Sequence, residues 1–489
     1  MKDIIVRHSY ISIPDYKLRD CTILENVLSE WNERRYQREF YGLTYNEETC
    51  ELRVPIGVGI ETVARWLNRN IVYKYEPDPY RDIQFHLTVQ PRDRIQSQII
   101  QYVINHSKRY SQVAIVAGTG VGKTYCAIAS SYRIGQMTMV VSHSAKLRSH
   151  WMTKIQEYTD LHMGEILLID STKKLYRILE QGDHGDYQFF SISHQIIARI
   201  AHKRGWDEIG RIFGLLGIGT VIIDEVHRRF SNTVQILTHT NSKNYILLTA
   251  TFIQTGSKRN KVFQTVFANI PKFYQKDLMN VRERMQKHID GYIITYNTKP
   301  TMEDQFSVEN GGGLNVARYC SWLVDRDPHF KDIFTFYLDQ CIKGTRSFMG
   351  KGLVLCGSIH ACDILTLYIQ EKWGDEIIVG TYHSKMGMKQ SRKDLMIENS
   401  DLIITTSGSL GEGTDIDNLH YIIDIETYIS EIANIQHPGR MRNLGSEHKY
   451  NYIKILNIGF RKVNRQLRNA LPIYRQNLGT LHMREWKDR

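Results

Sequence analysis

The sequence predicts an α/β protein in which two successive parallel-sheet units follow a small N-terminal α+β domain. Three observations carry that expectation. The chain has 489 residues, more than one core holds at about 100–200 residues per domain. From about Gln84 onward, short apolar runs alternate with helical segments, the pattern of a parallel sheet covered on both faces. The pattern weakens from Asn297 to Gly313, where Thr298-Lys299-Pro300-Thr301 and Asn310-Gly311-Gly312-Gly313 mark a join, and then resumes.

Element by element, Ile4–Ile13 reads as strand and Ile23–Trp31 as a helix with Leu24, Val27, Leu28 and Trp31 on one face, capped by the box Thr22/Glu25. A strand at Cys50–Pro55 and a helix carrying Ile60, Val63, Ala64 and Leu67 complete the N-terminal domain. Buried strands of the first unit are expected at Val113–Val116, Met137–Ser142, Gln188–Ser191, Val221–Ile223 and Tyr245–Leu248. Those of the second are expected at Leu353–Cys356, Ile377–Val379, Leu402–Thr405, Tyr421–Ile425 and Tyr452–Leu456. The expected domains are 1–83, 84–290 and 291–460, with a basic C-terminal segment over 461–489.

Composition narrows the class of function. Hydrophobic residues make up 42% and charged residues 24%, which excludes disordered and collagen-like chains. The longest uncharged runs, such as Ile212–Ile223, reach about a dozen residues against the roughly 20 of a membrane span. The N-terminal apolar run breaks at Arg7 without a signal-peptide core, so a cytoplasmic protein is expected. Seven cysteines without a C-x-x-C pair predict reduced thiols. Lys+Arg 63 against Asp+Glu 52 leaves a net charge of +11, which points to a polyanionic partner. Arg34, Arg35 and Arg38 with Tyr36 are candidate backbone contacts in the N-terminal domain, and the segment after Arg461 is also basic.

The chemistry concentrates at strand ends. After Val113–Val116 comes Ala117-Gly118-Thr119-Gly120-Val121-Gly122-Lys123-Thr124 and then a helical run. This is a phosphate-binding loop: backbone N–H groups and a helix N-terminus cradle phosphates, Lys123 reaches the β/γ phosphates, and Thr124 ligates Mg²⁺. Val221-Ile222-Ile223 runs into Asp224-Glu225-Val226-His227, where Asp224 would hold the metal and Glu225 the attacking water. Thr249-Ala250-Thr251 ends the next strand, with hydroxyls placed to bridge from His227 toward a bound strand. Thr406–Asp415 and Gln436-His437-Pro438-Gly439-Arg440 follow strands of the second unit, and Arg440 is the candidate cation for charge developing on a transferred phosphoryl group, set across a cleft between the two units.

These residues resemble a superfamily 2 helicase over roughly Gln90 to Asn443. The resemblance implies two tandem RecA-like lobes, ATP and Mg²⁺ as nucleotide and metal, and nucleic acid as partner. It implies that Gln96 contacts adenine, that Gly413 and Asp415 (with Glu412) form the fifth motif, and that Gln436, Gly439 and Arg440 form the sixth. Ser142 and His143, Ser193 and Gln195, Gly357 and Ser358, and Thr406 and Ser407 then hold the nucleic-acid backbone. The sixth motif departs from the family in one respect: Asn443 stands where a second arginine is usual, with Arg442 one position early. The small N-terminal domain and the segment Phe252–Phe267 look most similar to the phage UvsW-like branch-migration helicases. That narrower likeness implies a helicase working on single-stranded and branched DNA in the host cytoplasm, with an RNA helicase or a nucleic-acid-stimulated ATPase without strand separation as the alternatives.

Overall fold

Gln112–Val116, Thr138–Ser142, Phe189–Ser193, Thr220–Ile223 and Asn244–Thr249 are buried along their whole length. Strands of this kind must be covered on both faces, and helices from the intervening segments do so. The structure is a computed structural model of the chain. It describes all residues except 1, 33–36, 76–79, 119, 251, 253–256, 276–287, 311, 389, 411–415, 429–432, 435–436, 442–449 and 488–489. Two units result, residues 1–277 and residues 278–489.

The first unit contains a seven-stranded, all-parallel sheet in the order Ile166–Leu168, Phe189–Ser193, Thr138–Ser142, Thr220–Ile223, Asn244–Thr249, Gln112–Val116, Lys272–Tyr274. All five strands expected in this unit form, and the two that sequence reading missed are three-residue strands at the sheet edges. The second unit repeats the plan with the order Val379–Tyr382, Leu402–Thr405, Lys351–Leu355, Leu419–Asp424, Tyr450–Asn457, Ile289–Tyr296, Thr480–Glu485, again all parallel. The strand expected at Ile377–Val379 instead begins at Val379; Ile378 is 62% exposed, so its side chain never enters the core. No helix among the described residues is long and apolar enough to cross a membrane.

The N-terminal region is a five-stranded mixed sheet, Thr44–Asn46, Glu51–Pro55, Tyr10–Ile13, Ile4–Val6, Ile71–Tyr73, with the helix Ile60–Leu67. The expected helix Ile23–Trp31 is shorter, Thr22–Val27. Tertiary pairing ends it: the Leu28 carbonyl accepts from Tyr41 N and Gly42 N, and Ser29–Asn32 pairs with Gln37–Phe40 as an antiparallel hairpin. The capping box also fails to form. Glu25 is buried and accepts instead from the Tyr16 hydroxyl at 2.7 Å and from Arg19 N at 2.5 Å, leaving Cys21 as a helix start without a side-chain cap.

This small sheet shares one hydrophobic core with the first parallel sheet. Leu28, Val58 and Val63 belong to the same buried cluster as Val262, Phe263, Val266 and Phe267. Asn269 Nδ2 donates to Val58 O (2.8 Å), Gln112 Nε2 to Ser9 O (3.1 Å), and Arg53 pairs with Asp207 at 3.0 Å. A Cβ added to Gly42 would lie 2.9 Å from Leu28 and 3.0 Å from Val262 and Val266, so glycine lets the hairpin base approach the helix Ser257–Val266 closely. Deleting residues 1–79 strips cover from Val262, Phe263, Val266 and Phe267, all at most 2% exposed. The truncated chain is expected to aggregate or to melt on the order of 10 °C or more below the full chain. An unchanged melting temperature by differential scanning calorimetry would show that this sheet is dispensable to the core.

Candidate nucleotide site and its supports

In both units the candidate residues stand where the chain leaves a strand at its carboxyl end, the side on which open α/β sheets place ligands. Ala117–Thr124 follows Gln112–Val116, Asp224 and Glu225 follow Thr220–Ile223, and Ser142, Ser193 and Thr249 are the last residues of their strands. In the second unit Gly357 and Ser358 follow Lys351–Leu355, and Thr406 and Ser407 follow Leu402–Thr405.

Gly120 and Gly122 have φ of +82° and +88°, conformations that side chains strain. A Cβ on Gly122 would also collide with the Gln96 amide. The helix Lys123–Ile134 starts directly after Gly122 and points its first backbone N–H groups toward the loop. Lys123 Nζ donates to Ala117 O (2.9 Å) and Gly118 O (3.2 Å), holding the ammonium inside the cradle. Val121 is buried, whereas Thr124 is half-buried in the first helical turn. Gln96 is 4% exposed; its Nε2 donates to Val121 O (3.0 Å) and its Oε1 accepts from Arg92 N (2.8 Å), so the amide braces the loop. Gln275 Oε1 accepts from Gly118 N at 2.8 Å and braces it from the other side.

Asp224 is half-buried and its Oδ2 accepts from the buried Trp151 indole N–H at 2.8 Å. Burial, and then the adjacent Glu225 carboxylate, push Asp224 up to about 6, against the opposing pull of Trp151 and Lys123. A carboxylate so crowded gains from a cation beside it, which fits a Mg²⁺ held by Asp224 and Thr124. Glu225 has φ +50°, an uncommon backbone for a non-glycine residue. His227 Nδ1 lies 2.9 Å from Thr249 Oγ1 and 3.3 Å from Glu225 Oε2. Burial, and then Arg228 and Lys123, hold His227 down at about 4, so it serves here as a neutral hydrogen-bond partner.

Among the candidate nucleic-acid contacts, Ser142, Ser193 and Ser358 are buried and their hydroxyls are used internally. Ser193 and Ser358 cap the helices His194–Arg204 and Ile359–Trp373, and Ser142 donates to Ser144 O. Gln195 is exposed, and His143, Gly357, Thr406 and Ser407 are half-buried. Thr119, Thr251, Glu412, Gly413, Asp415, Gln436, Arg442 and Asn443 lie outside the described residues, as do Arg34, Arg35 and Tyr36 and the Arg38 side chain.

Arg440 closes a short turn, Pro438–Arg440, that begins at His437. His437 is fixed by Asp424, the last residue of its strand and wholly buried, whose Oδ2 also accepts from the Tyr452 hydroxyl (2.6 Å) and Lys454 Nζ (3.0 Å). Burial alone would raise Asp424, but the Lys454 ammonium and His437 outweigh it and hold the carboxyl well below the usual range. Asp424, Glu426 and His437 bring their ligand atoms within 4.8 Å of one another, close enough for a metal ion. The Lys454 ammonium already occupies the cationic role there, so the cluster is an internal ion-pair network that anchors the arginine turn.

Sequence reasoning missed Trp151, Gln275, Asp424 and Lys454. Only the last pair left a trace, an acid closing one buried run and a lysine inside the next; they are register partners in the sheet.

A phosphate-binding loop braced on both sides, with paired acids at the end of the next strand but one of the same parallel sheet, defines a P-loop ATPase. Residues 89–254 match the family described as "Type III restriction enzyme, res subunit". A protein of Acanthamoeba polyphaga mimivirus described as "Putative ATP-dependent RNA helicase L396" is 23% identical over 415 residues, covering 83% of this chain and 70% of that one. Fold and comparisons together support a superfamily 2 helicase, and the chain is an ATP-hydrolysing enzyme of the helicase type.

Two supports are testable. Trp151→Phe keeps a buried ring but deletes the donor to Asp224; a hydrogen bond to a charged group is worth about 1.5–3 kcal/mol, so kcat for ATP is expected to fall about tenfold or more, with a melting-temperature loss of no more than about 10 °C. Asp424→Asn strands the Lys454 ammonium in the core and is expected to destabilise the second unit by about 3–5 kcal/mol in denaturant unfolding. The double variant Asp424→Leu/Lys454→Met should recover part of that loss, and equal stabilities of Asp424→Asn and wild type would refute the ion-pair account.

Proposed function

We propose that the chain is an ATP-driven motor that moves along DNA and remodels forked or branched structures, by branch migration or fork reversal, in replication, recombination or repair. The observation that carries the motor reading is the convergence of the Lys123 cradle and the Asp224–Glu225 pair on strand ends of one sheet, with Lys123 near enough to act on the Asp224 carboxyl.

In this reading the N–H groups of Gly120 to Thr124 bind phosphate oxygens, and Lys123 leaves the Ala117 and Gly118 carbonyls to neutralise them. Thr124 and Asp224 hold Mg²⁺, which supplies charge neutralisation at the transferring phosphate. Glu225 orients the attacking water, and His227 passes the state of that carboxylate to Thr249. Arg440 stabilises the charge that develops during transfer. Gln436, Gly413 and Asp415 take the nucleotide roles of the family they resemble, and Gln96 takes its adenine contact by exchanging the Val121 and Arg92 backbone partners that hold its amide. Gln195, His143, Gly357, Thr406 and Ser407, with the helix starts at Ser142, Ser193 and Ser358, track the nucleic-acid backbone. The second reading is an RNA helicase with the same motor, the activity named for the mimivirus relative.

ATP turnover measured alone, with single-stranded DNA, with four-way DNA and with RNA separates these readings. Branched or single-stranded DNA is expected to stimulate most, and stimulation by RNA alone would replace DNA as substrate. Glu225→Gln should bind ATP and Mg²⁺ as wild type does yet lose about 100-fold or more in turnover, because shape is kept while the carboxylate that handles water is gone. Equal turnover in Glu225→Gln and wild type would remove the assignment. Affinity for a single strand should fall with salt at a log–log slope near −3.5 if about five phosphates are neutralised, with little dependence on base sequence.

A further inference from the structure

The helix Arg461–Asn477 contains no acidic residue and carries Arg461, Lys462, Arg465, Arg468 and Arg475. At about 100° per residue, Arg461, Arg465, Arg468 and Arg475 fall within an arc of about 80°. Val463, Leu467, Ala470 and Tyr474 occupy the opposite side and are buried. All four arginines are exposed, and among the described residues none has a carboxylate within ion-pairing distance. Lys462, off the stripe, is the one basic side chain of this helix that is paired, with Glu309 at 2.6 Å.

The helix under the stripe, which carries Pro472 between Arg468 and Arg475, is held by side-chain hydrogen bonds. Gln466 Oε1 accepts from the Thr427 hydroxyl (2.8 Å), and the Tyr474 hydroxyl donates to Asn434 Oδ1 (2.6 Å), so the helix is tied to the segment that leads to Arg440. From Arg461 to Arg475 the charges extend over about 21 Å at 1.5 Å per residue. Like charges held in one line without counter-charges repel one another in the free protein, and a polyanion relieves that repulsion. A duplex presents about one negative charge per 1.7 Å, roughly a dozen over this length. No aromatic side chain accompanies the arginines on this face, so it lacks the stacking platform that single-strand grooves use.

We propose that the exposed arginine stripe of Arg461–Asn477 is a docking surface for the phosphate backbone of a nucleic-acid duplex, separate from the residues that track a single strand. This rests on the reading that the chain works on nucleic acid, and it adds where a duplex arm is held. Binding there is independent of sequence, since guanidinium groups on phosphates carry no base information.

The test compares wild type with Arg465→Gln/Arg468→Gln/Arg475→Gln and with the matching triple lysine variant. The probes are a blunt DNA duplex of roughly 20 base pairs and an oligothymidylate of equal length, each titrated across salt concentrations. In the glutamine variant, duplex affinity at about 0.1 M salt is expected to drop tenfold or more, and the log–log salt slope to shrink by about 2.7 for three lost phosphate contacts. Oligothymidylate affinity, turnover stimulated by it and melting temperature should stay at wild-type values, and the lysine variant should keep the duplex slope. An unchanged duplex slope in the glutamine variant, or equal losses on duplex and single strand, overturns the proposal while leaving the motor reading in place. Loss of the slope in the lysine variant as well would make the arginines structural and also overturns it. A wild-type protein that binds neither probe overturns the nucleic-acid reading and this proposal together.

Discussion

A strand buried on both faces holds a charge in mid-run only against a partner, as Lys454 does against Asp424, and otherwise keeps its charges for the point where the chain leaves the sheet. Both large sheets here are all-parallel, so their chains leave on the same side, and Lys123, Asp224 and Glu225 gather in the first unit because of it. The second unit obeys the same rule with Thr406 and Asp424. Asp224 is kept in place by an indole N–H and Asp424 by an ammonium, because a carboxylate at such a margin is partly stripped of water and needs a donor from the protein. The phosphate loop shows the neutral version of the same need, with Gln96 and Gln275 taking up its backbone groups.

How much of this the sequence disclosed depends on how local each signal is. Interior strands announce themselves as apolar runs, and the glycines of the phosphate loop by their spacing before Lys123. Ile289–Tyr296 escaped notice although it is an interior strand, because Asp290 and Gly291 interrupt its run and it adjoins the join between units. Gly291 is there for contact: a Cβ would strike Leu478 and press on Leu481. Thr480–Glu485 reads as a basic tail because it is an edge strand, largely exposed, paired on one side only. The false extension of the helix past Val27 has the opposite cause, a local pattern overruled by pairing with Gln37–Phe40.

The supports of the site were not readable because each is a partnership between distant positions. Trp151 reaches Asp224 across 73 residues and Gln275 reaches Gly118 across 157. Neither has a composition that marks it: a tryptophan in a helix is ordinarily core, and a glutamine past a strand is ordinarily surface.

The shared core of the first unit has a consequence for synthesis. Val58 meets Asn269, a partner 211 residues later in the chain, and the apolar face of the N-terminal sheet is completed by Val262 to Phe267. At about 5–20 residues per second a ribosome takes roughly 10–40 s to deliver that partner, and until then the nascent sheet carries an uncovered hydrophobic face. The unit therefore cannot be completed until its two ends meet, and the period of greatest exposure to misassociation falls before the last edge strand of the first large sheet, Lys272–Tyr274, has left the exit tunnel.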